Sequence, residues 1–327
     1  MQPTVSIIIP SFNRALLIGE TLDSIIAQSY PYWECIVIDD DSTDNSEAVV
    51  KSYCKKDSRI HYFKRPLSKP KGANACRNYG LELSNGKYIN WIDSDDIMHR
   101  DKLKLQIALL EEDTNYFFSV CQSMVFLKAK ENKIGLKSQH IISENPFEDF
   151  ITKKIIIPIQ APVFRRSFIL DHKFSFDESL KASQEWDLFS RILFYTRKYK
   201  TIEQPLDYIR QHGESISGER GKHQNWYYYL ARYKIYNLYK AELSPECTNY
   251  FKRYFLLMFK LLLRQKAIEY AFKVWRMSLV VDRGYSIKQH TNMILALISF
   301  ALFGKGDRFL TKVHRWNLHK DSLSLDL

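Results

Sequence analysis

The chain has 327 residues, of which 45% are hydrophobic, and a formal net charge of +11. That length and apolar content support one large or two ordinary folded domains and exclude a chain dominated by disorder. Residues 221–327 hold 18 Lys and Arg against 7 Asp and Glu, whereas residues 1–220 hold 30 of each sign. We therefore predict a neutral domain over residues 1–220 and a basic, aromatic-rich helical region over residues 221–327.

The cysteines and the apolar segments indicate a cellular compartment. The five cysteines are scattered without any Cys-x-x-Cys pair, which favours reduced thiols in a cytoplasmic protein over disulfides or a zinc site. The N-terminus, MQPTVSIIIP, has no basic region, so no signal peptide is expected. The apolar stretch 293–303 is eleven residues long, against roughly 20 needed to cross a bilayer. No conventional transmembrane helix is expected.

Strand-like and helix-like patterns alternate over the first hundred residues. Short β-branched or aromatic runs cover residues 4–9, 33–38, 59–63 and 87–92. Between them lie three segments with apolar stripes at helical spacing, residues 16–26, 48–53 and 73–83. This alternation predicts an α/β fold with βαβ units around a mostly parallel, Rossmann-like sheet flanked by helices.

Polar clusters follow three of the predicted strands. Residues 10–14 (PSFNR) follow the first strand, residues 39–44 (DDDSTD) the second, and residues 93–96 (DSDD) the fourth. Parallel sheets bind ligands beyond the carboxyl ends of their strands. Because those ends share one edge of the sheet, we expect the three clusters to converge there.

The acidic clusters also have plain structural explanations. One of residues 42–44 is expected to cap the following helix, leaving Asp39 and Asp40 as solvated loop residues or as ligand contacts. Residues 93–96 could form a capping turn before a helix near residues 100–113. Against this, like charges about 4 Å apart repel by roughly 1 kcal/mol in water and more where water is scarce. A Mg²⁺ or Mn²⁺ ion, whose shell a nucleotide diphosphate completes, would relieve that repulsion.

Four segments, taken in order, resemble the signatures of family 2 glycosyltransferases: VSIIIPSFNR, QSYPYWECIVIDDDSTD, KGANACRNYGLELSNGKYINWIDSDD and QEWDLFSRIL. The resemblance covers residues 4–96 and resumes near residues 157–217. It implies the A-type glycosyltransferase fold and an inverting enzyme of the hexosyltransferase class. Such enzymes move a sugar from a nucleotide-diphosphate sugar, most often a UDP-sugar, to a hydroxyl of a glycan or lipid-linked acceptor. A place in bacterial cell-surface polysaccharide biosynthesis is implied as well.

The resemblance assigns donor-binding roles to individual residues. Asp40 corresponds to the aspartate that hydrogen-bonds the uracil edge of a UDP-sugar, with Asp39 beside it. The family usually has glycine where this chain has Asp41, so the turn there is expected to differ. Arg77 can pair with the phosphates through its fork of donors. The full implied donor set is Pro10, Phe12, Arg14, Asp39, Asp40, Lys71, Arg77, Asn78, Asp93, Ser94 and Arg210.

The resemblance also implies a divalent metal, Mn²⁺ or Mg²⁺, as cofactor. Asp93 and Asp95 correspond to the outer aspartates of the family's DxD motif. Asp93 would approach the ribose or the metal, and Asp95 would ligate the ion that bridges the two phosphates. His212 is a further candidate ligand, although a loop histidine is more often only a polar contact.

Transfer of a sugar to a hydroxyl also requires a base, and the segment SQEWDLFSRIL supplies carboxylates. Family members usually carry Glu-Asp ahead of the aromatic residue, where this chain has Gln184 and Glu185. Glu185 therefore takes the position of the usual aspartate base, one methylene longer. A plain alternative is an acidic residue that favours the helix dipole. We predict Glu185 as the base and a structural role for Asp187.

Two roles are possible for the basic C-terminal region. Its aromatic and aliphatic helices, bordered by Lys and Arg, could pack on the catalytic domain or rest on an anionic membrane surface. The second role would place the protein peripherally on the inner face of the cell membrane. No nucleic-acid module is recognised, so nucleic-acid binding is not expected.

A rival class of function is a non-catalytic protein that binds a nucleotide sugar or a membrane surface through a degenerate glycosyltransferase fold. The presence of Asp93, Asp95 and Glu185 favours the enzyme.

Overall fold

The computed structural model describes residues 4–211, 221–280, 285–306 and 308–309. The chain divides into two compact units, Met1–Ser215 and Ile216–Leu327. The boundary after residue 220, which the charge distribution indicates, stays a prediction.

The first unit is an α/β structure built on one sheet. Its strands are β1 (Val5–Ser11), β2 (Trp33–Asp39), β3 (Ile60–Lys64), β4 (Tyr88–Trp91), β5 (Ile97–Met98), β6 (Phe118–Leu127), β7 (Lys133–Leu136), β8 (Pro162–Arg165) and β9 (Lys200–Gln211). Its helices are α1 (Ile18–Ile26), α2 (Ser46–Lys56), α3 (Ala73–Leu83), α4 (Lys102–Glu112), α5 (Pro146–Ile151), α6 (Arg166–Asp171) and α7 (Gln184–Tyr195). The four strands and three helices predicted in the first hundred residues are confirmed.

The strand order places a crevice beside β1. The sheet runs β3-β2-β1-β4-β8-β6-β9-β5, with β7 attached to β6. Strands β3, β2, β1 and β4 are mutually parallel. Beyond them the sheet is mixed, because β8 is antiparallel to β4 and β6, whereas β6 and β9 are parallel. The chain moves from β1 to β2 and β3 on one side and to β4 on the other. The carboxyl ends of β1 and β4 therefore flank the point where such sheets bind ligands.

Apolar side chains cover both faces of the parallel strands. Ile7, Ile9 and Val37 pack with Leu22 and Ile25 of α1 on one face, and β2 packs against α3 on the other. Strands buried on both faces need continuous apolar runs. This explains why β1 and β2 could be recognised as strands from the sequence alone.

The start of α2 shows how the polar loop after β2 is organised. Asn45 occupies the N-cap position and makes no capping bond with its side chain. Asp44 instead accepts hydrogen bonds from the Ser46 backbone N–H at 2.9 Å and from the Ser46 hydroxyl at 2.5 Å. The capping function expected of residues 42–44 is therefore performed by Asp44, from one position before the N-cap.

Within its described residues, the second unit is helical. Its helices are α8 (Lys222–Tyr239), α9 (Pro245–Arg264), α10 (Ile268–Val280) and α11 (Ile287–Phe303). Ser244 caps α9 through the Cys247 N–H, and Ser286 forms a capping box with Gln289 at the start of α11. Aromatic rings fill its interior, with Arg232 buried against the Tyr254 ring at 4.6 Å. No helix of the described chain combines the length and apolar character needed to span a bilayer.

Helix α3 approaches the sheet closely at Gly80. A Cβ atom at this position would lie 2.3 Å from Cγ2 of Ile8 and 3.5 Å from Cγ1 of Ile38. Ile8 is completely buried, so it cannot yield without disturbing the core. Glycine is therefore required for the packing of α3 on β1 and β2.

We predict that Gly80→Ala lowers the free energy of unfolding by about 1–2 kcal/mol. Overpacking a core costs about 1–3 kcal/mol, and the better helix propensity of alanine recovers up to about 1 kcal/mol. The matched control is Gly19→Ala in α1, where the new Cβ would meet only the end of the Tyr53 side chain, with the hydroxyl nearest at 3.3 Å. Urea unfolding should show the control unchanged or slightly stabilised; equal losses in the two variants would contradict the packing argument.

Candidate functional site

Three polar segments meet at the carboxyl ends of β1, β2 and β4. We call residues 10–14, 39–44 and 93–96 together the rim. Ser42 accepts a hydrogen bond from the Asn13 N–H at 2.9 Å, and the Asn13 side-chain oxygen accepts one from the Thr43 N–H at 2.8 Å. The Arg14 guanidinium reaches Asp95 at 3.6 Å. The expected convergence of the three clusters is confirmed.

The two aspartates that end β2 have different surroundings. Asp39 accepts hydrogen bonds from the Ser42 hydroxyl on one carboxylate oxygen and from the Ser42 N–H on the other. Asp40 binds Arg65 Nε through Oδ1 at 2.5 Å, whereas its Oδ2 forms no hydrogen bond with any described residue. Asp39 therefore holds the turn, and Asp40 keeps an acceptor atom for a ligand.

Asp41 has an unusual backbone conformation in the turn after β2. Its φ angle is 68°, in the left-handed region that favours glycine. Aspartate tolerates this region better than most residues, because its short polar side chain can hydrogen-bond locally. The expectation that this turn differs from the one in family members with glycine stays a prediction.

Arg77 and Asp93 connect α3 to the acidic loop after β4. Arg77 Nη2 donates to Asp93 Oδ1 at 2.7 Å, and its guanidinium lies over the Phe176 ring at 5.2 Å. Arg77 is buried, whereas the Asp93 side chain is 40% exposed. Asn78, assigned to the donor from sequence, donates to Phe176 O and Glu178 Oε1 at 3.0 and 2.8 Å. Its hydrogen bonds thus hold a neighbouring loop.

Arg210 fixes the backbone of the same acidic loop. Its N–H donates to Asp96 Oδ1 at 2.9 Å, and its Nε donates to the Asp95 carbonyl at 3.0 Å. The rest of the guanidinium bonds to the Lys128 carbonyl and to Glu20. The donor-binding role assigned to Arg210 stays a prediction, whereas its contacts are those of a positioning residue.

Asp96 and Asp95 differ in burial, and burial affects the pKa of Asp96. Desolvation raises the pKa of Asp96 well above its ordinary value, and the neighbouring Asp95 and Asp93 carboxylates raise it further. The Arg210 N–H bond opposes this shift. Asp95, with its side chain 16% exposed, is the more accessible of the two.

The remaining predicted donor residues lie at the rim or beside it. Lys71 Nζ lies 4.4 Å from the centre of the Phe12 ring, which is 41% exposed. This contact brings the loop after β3 to the rim. Pro10 is buried in β1, and Ser94 is buried between the two outer aspartates. His212 lies outside the described residues.

Glu185 is the second residue of α7, after Ser183 in a left-handed conformation. The carboxylate is half-buried and forms no hydrogen bond or ion pair with the described part of the chain.

Asp187, in the same helix, is fully buried and binds Arg191 at 2.8 Å, which agrees with a structural role. The loop before α7 is tied to α3, because the Asn74 amide donates to the carbonyls of Asp177 and Leu180.

The rim suits a divalent cation only together with a ligand that supplies oxygen atoms. Among the described residues, no group of three or more His, Cys, Asp or Glu side chains could hold a metal ion. Asp93 and Asp95 nevertheless present partly exposed carboxylates. Mg²⁺ binds through one or two carboxylates plus substrate phosphates and water. These two side chains fit such an ion.

Sequence reasoning missed several residues that hold the rim in place. Arg65 pairs with Asp40, and Lys102 forms an ion pair with Asp207 at 2.7 Å that is completely buried. Lys102 also donates to the Gln160 carbonyl at 2.6 Å. Asp207 lies opposite Met98 in β5, directly after the acidic loop. Arg65 could have been found from its place beyond the carboxyl end of β3; the Lys102 pair has no sequence signal.

Comparisons with known proteins agree with this architecture. S. aureus TarS, residues 1–349, solved in complex with UDP, has a TM-score of 0.61 and 16% identity, with 96% of this chain and 90% of that chain covered. The mannosyltransferase PcManGT from Pyrobaculum calidifontis, solved with GDP-Man and Mn²⁺, has a TM-score of 0.53 and 16% identity, with 96% and 84% covered. The predicted A-type glycosyltransferase fold is confirmed.

The sequence comparisons identify the family. The profile described as Glycosyl transferase family 2 matches residues 6–170, which is half of the chain. The chain belongs to this family, as its motifs predicted.

Individual relatives match this chain over different shares of its length and of their own. An uncharacterized glycosyltransferase of Rickettsia bellii is 30% identical over 75% of this chain and 34% of its own length. The putative teichuronic acid biosynthesis glycosyltransferase TuaG of Bacillus subtilis is 40% identical over 34% of this chain and 43% of its own length. A GalNAc(5)-diNAcBac-PP-undecaprenol beta-1,3-glucosyltransferase of Campylobacter jejuni is 26% identical over 77% and 81%. The chain thus spans only 34% and 43% of the length of the first two relatives.

The buried pair beneath the acidic loop gives a stability prediction. Burial raises the pKa of Asp207 even though the Lys102 ammonium opposes this, so desolvation exceeds the attraction. Lys102→Met should therefore lower the free energy of unfolding by about 3–5 kcal/mol, because it leaves a buried carboxylate unpaired. Lys102→Met/Asp207→Leu should recover most of the loss.

The matched control is Lys104→Met, an exposed lysine of the same helix, which should change the stability by less than about 0.5 kcal/mol. Urea unfolding measures all three variants. A double variant no more stable than Lys102→Met would show that the loss comes from packing and not from the unpaired charge.

Proposed function

We propose that the protein is an inverting, metal-dependent glycosyltransferase of the hexosyltransferase class. It transfers a sugar from a UDP-sugar to a hydroxyl of a glycan or lipid-linked acceptor in bacterial cell-surface polysaccharide biosynthesis. The observation that carries this proposal is the rim. Carboxylates from β2 and from the loop after β4 meet there with arginines from α3 and the β1 loop, at the crevice where such sheets bind nucleotides.

The rim offers a distinct group to each part of a UDP-sugar. The Oδ2 atom of Asp40, which no described residue hydrogen-bonds, suits the uracil N3–H, and the exposed Phe12 ring beside Lys71 suits a base or ribose. Arg77 suits the phosphates. Asp93 and Asp95 would hold Mn²⁺ or Mg²⁺, which when bound stabilises the negative charge of the departing diphosphate. The relative solved with UDP and the relative solved with Mn²⁺ support this choice of ligands.

Glu185 serves as the base in this proposal. Its carboxylate accepts the proton of the acceptor hydroxyl while that oxygen forms a bond to the anomeric carbon. The bond from the anomeric carbon to the diphosphate breaks at the same time, and UDP leaves with the bonding electrons. A single displacement of this kind inverts the configuration and needs no covalent intermediate on the protein.

We also propose a cytoplasmic location, peripheral on the inner face of the cell membrane. The acceptor named for the Campylobacter relative is a lipid-linked diphosphate. An enzyme that uses such an acceptor works at a membrane surface.

The metal and the base can be tested separately. Asp95→Ala should abolish the Mn²⁺-dependent part of UDP binding, measured by calorimetry, because the ion loses its accessible carboxylate. Glu185→Gln should bind UDP and Mn²⁺ as the wild type does, yet its rate of sugar transfer should fall by about 10²–10⁴-fold.

The sugar donor is identified first, by a thermal-shift screen of nucleotide sugars in the presence of Mn²⁺. A ligand at about 100 times its Kd raises the free energy of unfolding by roughly 2.7 kcal/mol.

The matched controls are Asp171→Ala and Glu203→Gln, which alter exposed acids of the same unit and should preserve both binding and transfer. Full transfer by Glu185→Gln would exclude Glu185 as the base. Binding of UDP by the wild type without transfer to any acceptor tested would instead support the non-catalytic alternative.

A second experiment identifies the residue that contacts the base. Uracil N3 carries a hydrogen and donates, whereas cytosine N3 accepts, so a carboxylate at the base edge prefers UDP over CDP. Asp40→Asn, whose amide can donate, should lower the ratio of UDP to CDP affinity by about tenfold or more, as expected when about 1.4 kcal/mol of preference is lost. Asp39→Asn is the control and should leave the ratio unchanged. The opposite outcome would assign the base contact to Asp39.

A further inference from the structure

Helix α11 presents an apolar face that the described chain does not cover. The large side chains on this face are between 37% and 87% exposed: Ile287, Ile294, Leu295, Ile298 and Leu302. They recur at intervals of seven, one, three and four residues, which is the spacing of one helical face. The opposite face, with Met293, Ala296, Leu297 and Phe300, is buried in the second unit. The helix is thus apolar on two sides and packed on only one.

The charged residues of α11 itself and of its described flanks, residues 285–306, have one sign. Residues 285–306 contain no Asp or Glu. Lys288 lies in the first turn and Lys305 follows the last, and both are exposed. Residues 221–327 carry the excess of Lys and Arg that accounts for the net charge of the chain. An apolar stripe with an exposed lysine at each end of its helix suits the surface of an anionic bilayer.

A second copy of the chain fits this face less well. In a two-fold symmetric pair of antiparallel α11 helices, Lys288 of one copy would lie near Lys305 of the other. Residues 285–306 contain no carboxylate that could pair with either lysine, so α11 itself supplies no ion pair to such a dimer.

We propose that α11 docks in the plane of an anionic lipid surface, with its exposed apolar face in the boundary between headgroups and acyl chains. Lys288 and Lys305 contact lipid phosphates at its two ends. This inference rests on the proposed membrane location and names the element responsible for it. It does not depend on transfer activity, and vesicle binding and UDP-dependent transfer are measured separately.

The test uses the full chain and extruded vesicles of phosphatidylcholine, with and without phosphatidylglycerol, in a co-sedimentation assay. Binding is expected to the vesicles with phosphatidylglycerol and to weaken with salt. Ile298→Glu/Leu302→Glu should reduce the partition coefficient by at least about tenfold, since two apolar anchors become charged. Lys288→Gln and Lys305→Gln should each reduce it by about fivefold.

The matched control is Leu238→Glu, which places the same charge at an exposed leucine of α8 in the same unit. It should bind vesicles as the wild type does. Far-UV circular dichroism and UDP binding verify that each variant is folded. The proposal is overturned if the wild-type chain does not bind anionic vesicles. It is also overturned if Leu238→Glu loses as much binding as Ile298→Glu/Leu302→Glu. A wild-type dimer that Ile298→Glu/Leu302→Glu converts to a monomer overturns it as well.

Discussion

Pairing of three rim carboxylates with arginines from other elements is the interaction on which the site depends. Asp40 pairs with Arg65, Asp93 with Arg77, and Asp95 with Arg14. Without these partners, several carboxylates at one edge of a sheet would repel each other, and more strongly where water is scarce. The arginines come from three different loops or helices. The same contacts that neutralise the acids therefore also fix the loops against each other.

The second half of the sheet supplies the support beneath this cluster. Arg210 on β9 binds the backbone of Asp95 and the side chain of Asp96, so the acidic loop is anchored from below. The Lys102–Asp207 pair holds β9 to α4, the helix that follows the loop. A buried ion pair is weak evidence for stability, because desolvation offsets its attraction. Its value here is positional, since Lys102 also fixes the Gln160 carbonyl on the segment before β8.

The sequence predicted those parts of the fold that local patterns determine. Strands buried on both faces leave apolar runs, and the topology of parallel strands then places residues 39–44 and 93–96 at one edge. The left-handed backbone of Asp41, with φ of 68°, was not predicted, because the replaced glycine indicated only a turn that differs from the family's. Pairs such as Lys102 with Asp207 were not predictable, because their residues are 105 positions apart and neither lies in a motif. The roles of Asn78 and Arg210 show the same limit: sequence placed them near the site, but not which atoms they bind.

Helix α3 couples the Arg77 side of the rim, where we propose that phosphates bind, to the proposed base. Its Arg77 contacts Asp93, whereas its Asn74 and Asn78 bind the loop of residues 176–180 that leads into α7 and Glu185. Gly80 lets this helix lie close against β1 and β2, so its position is set by the core. A displacement of α3 would therefore move Arg77 and the start of α7 together. In the proposed reaction the acceptor hydroxyl, base and anomeric carbon must be aligned within a fraction of an ångström. One rigid helix that carries both sets of contacts would keep the leaving group and the proposed base in a fixed relation.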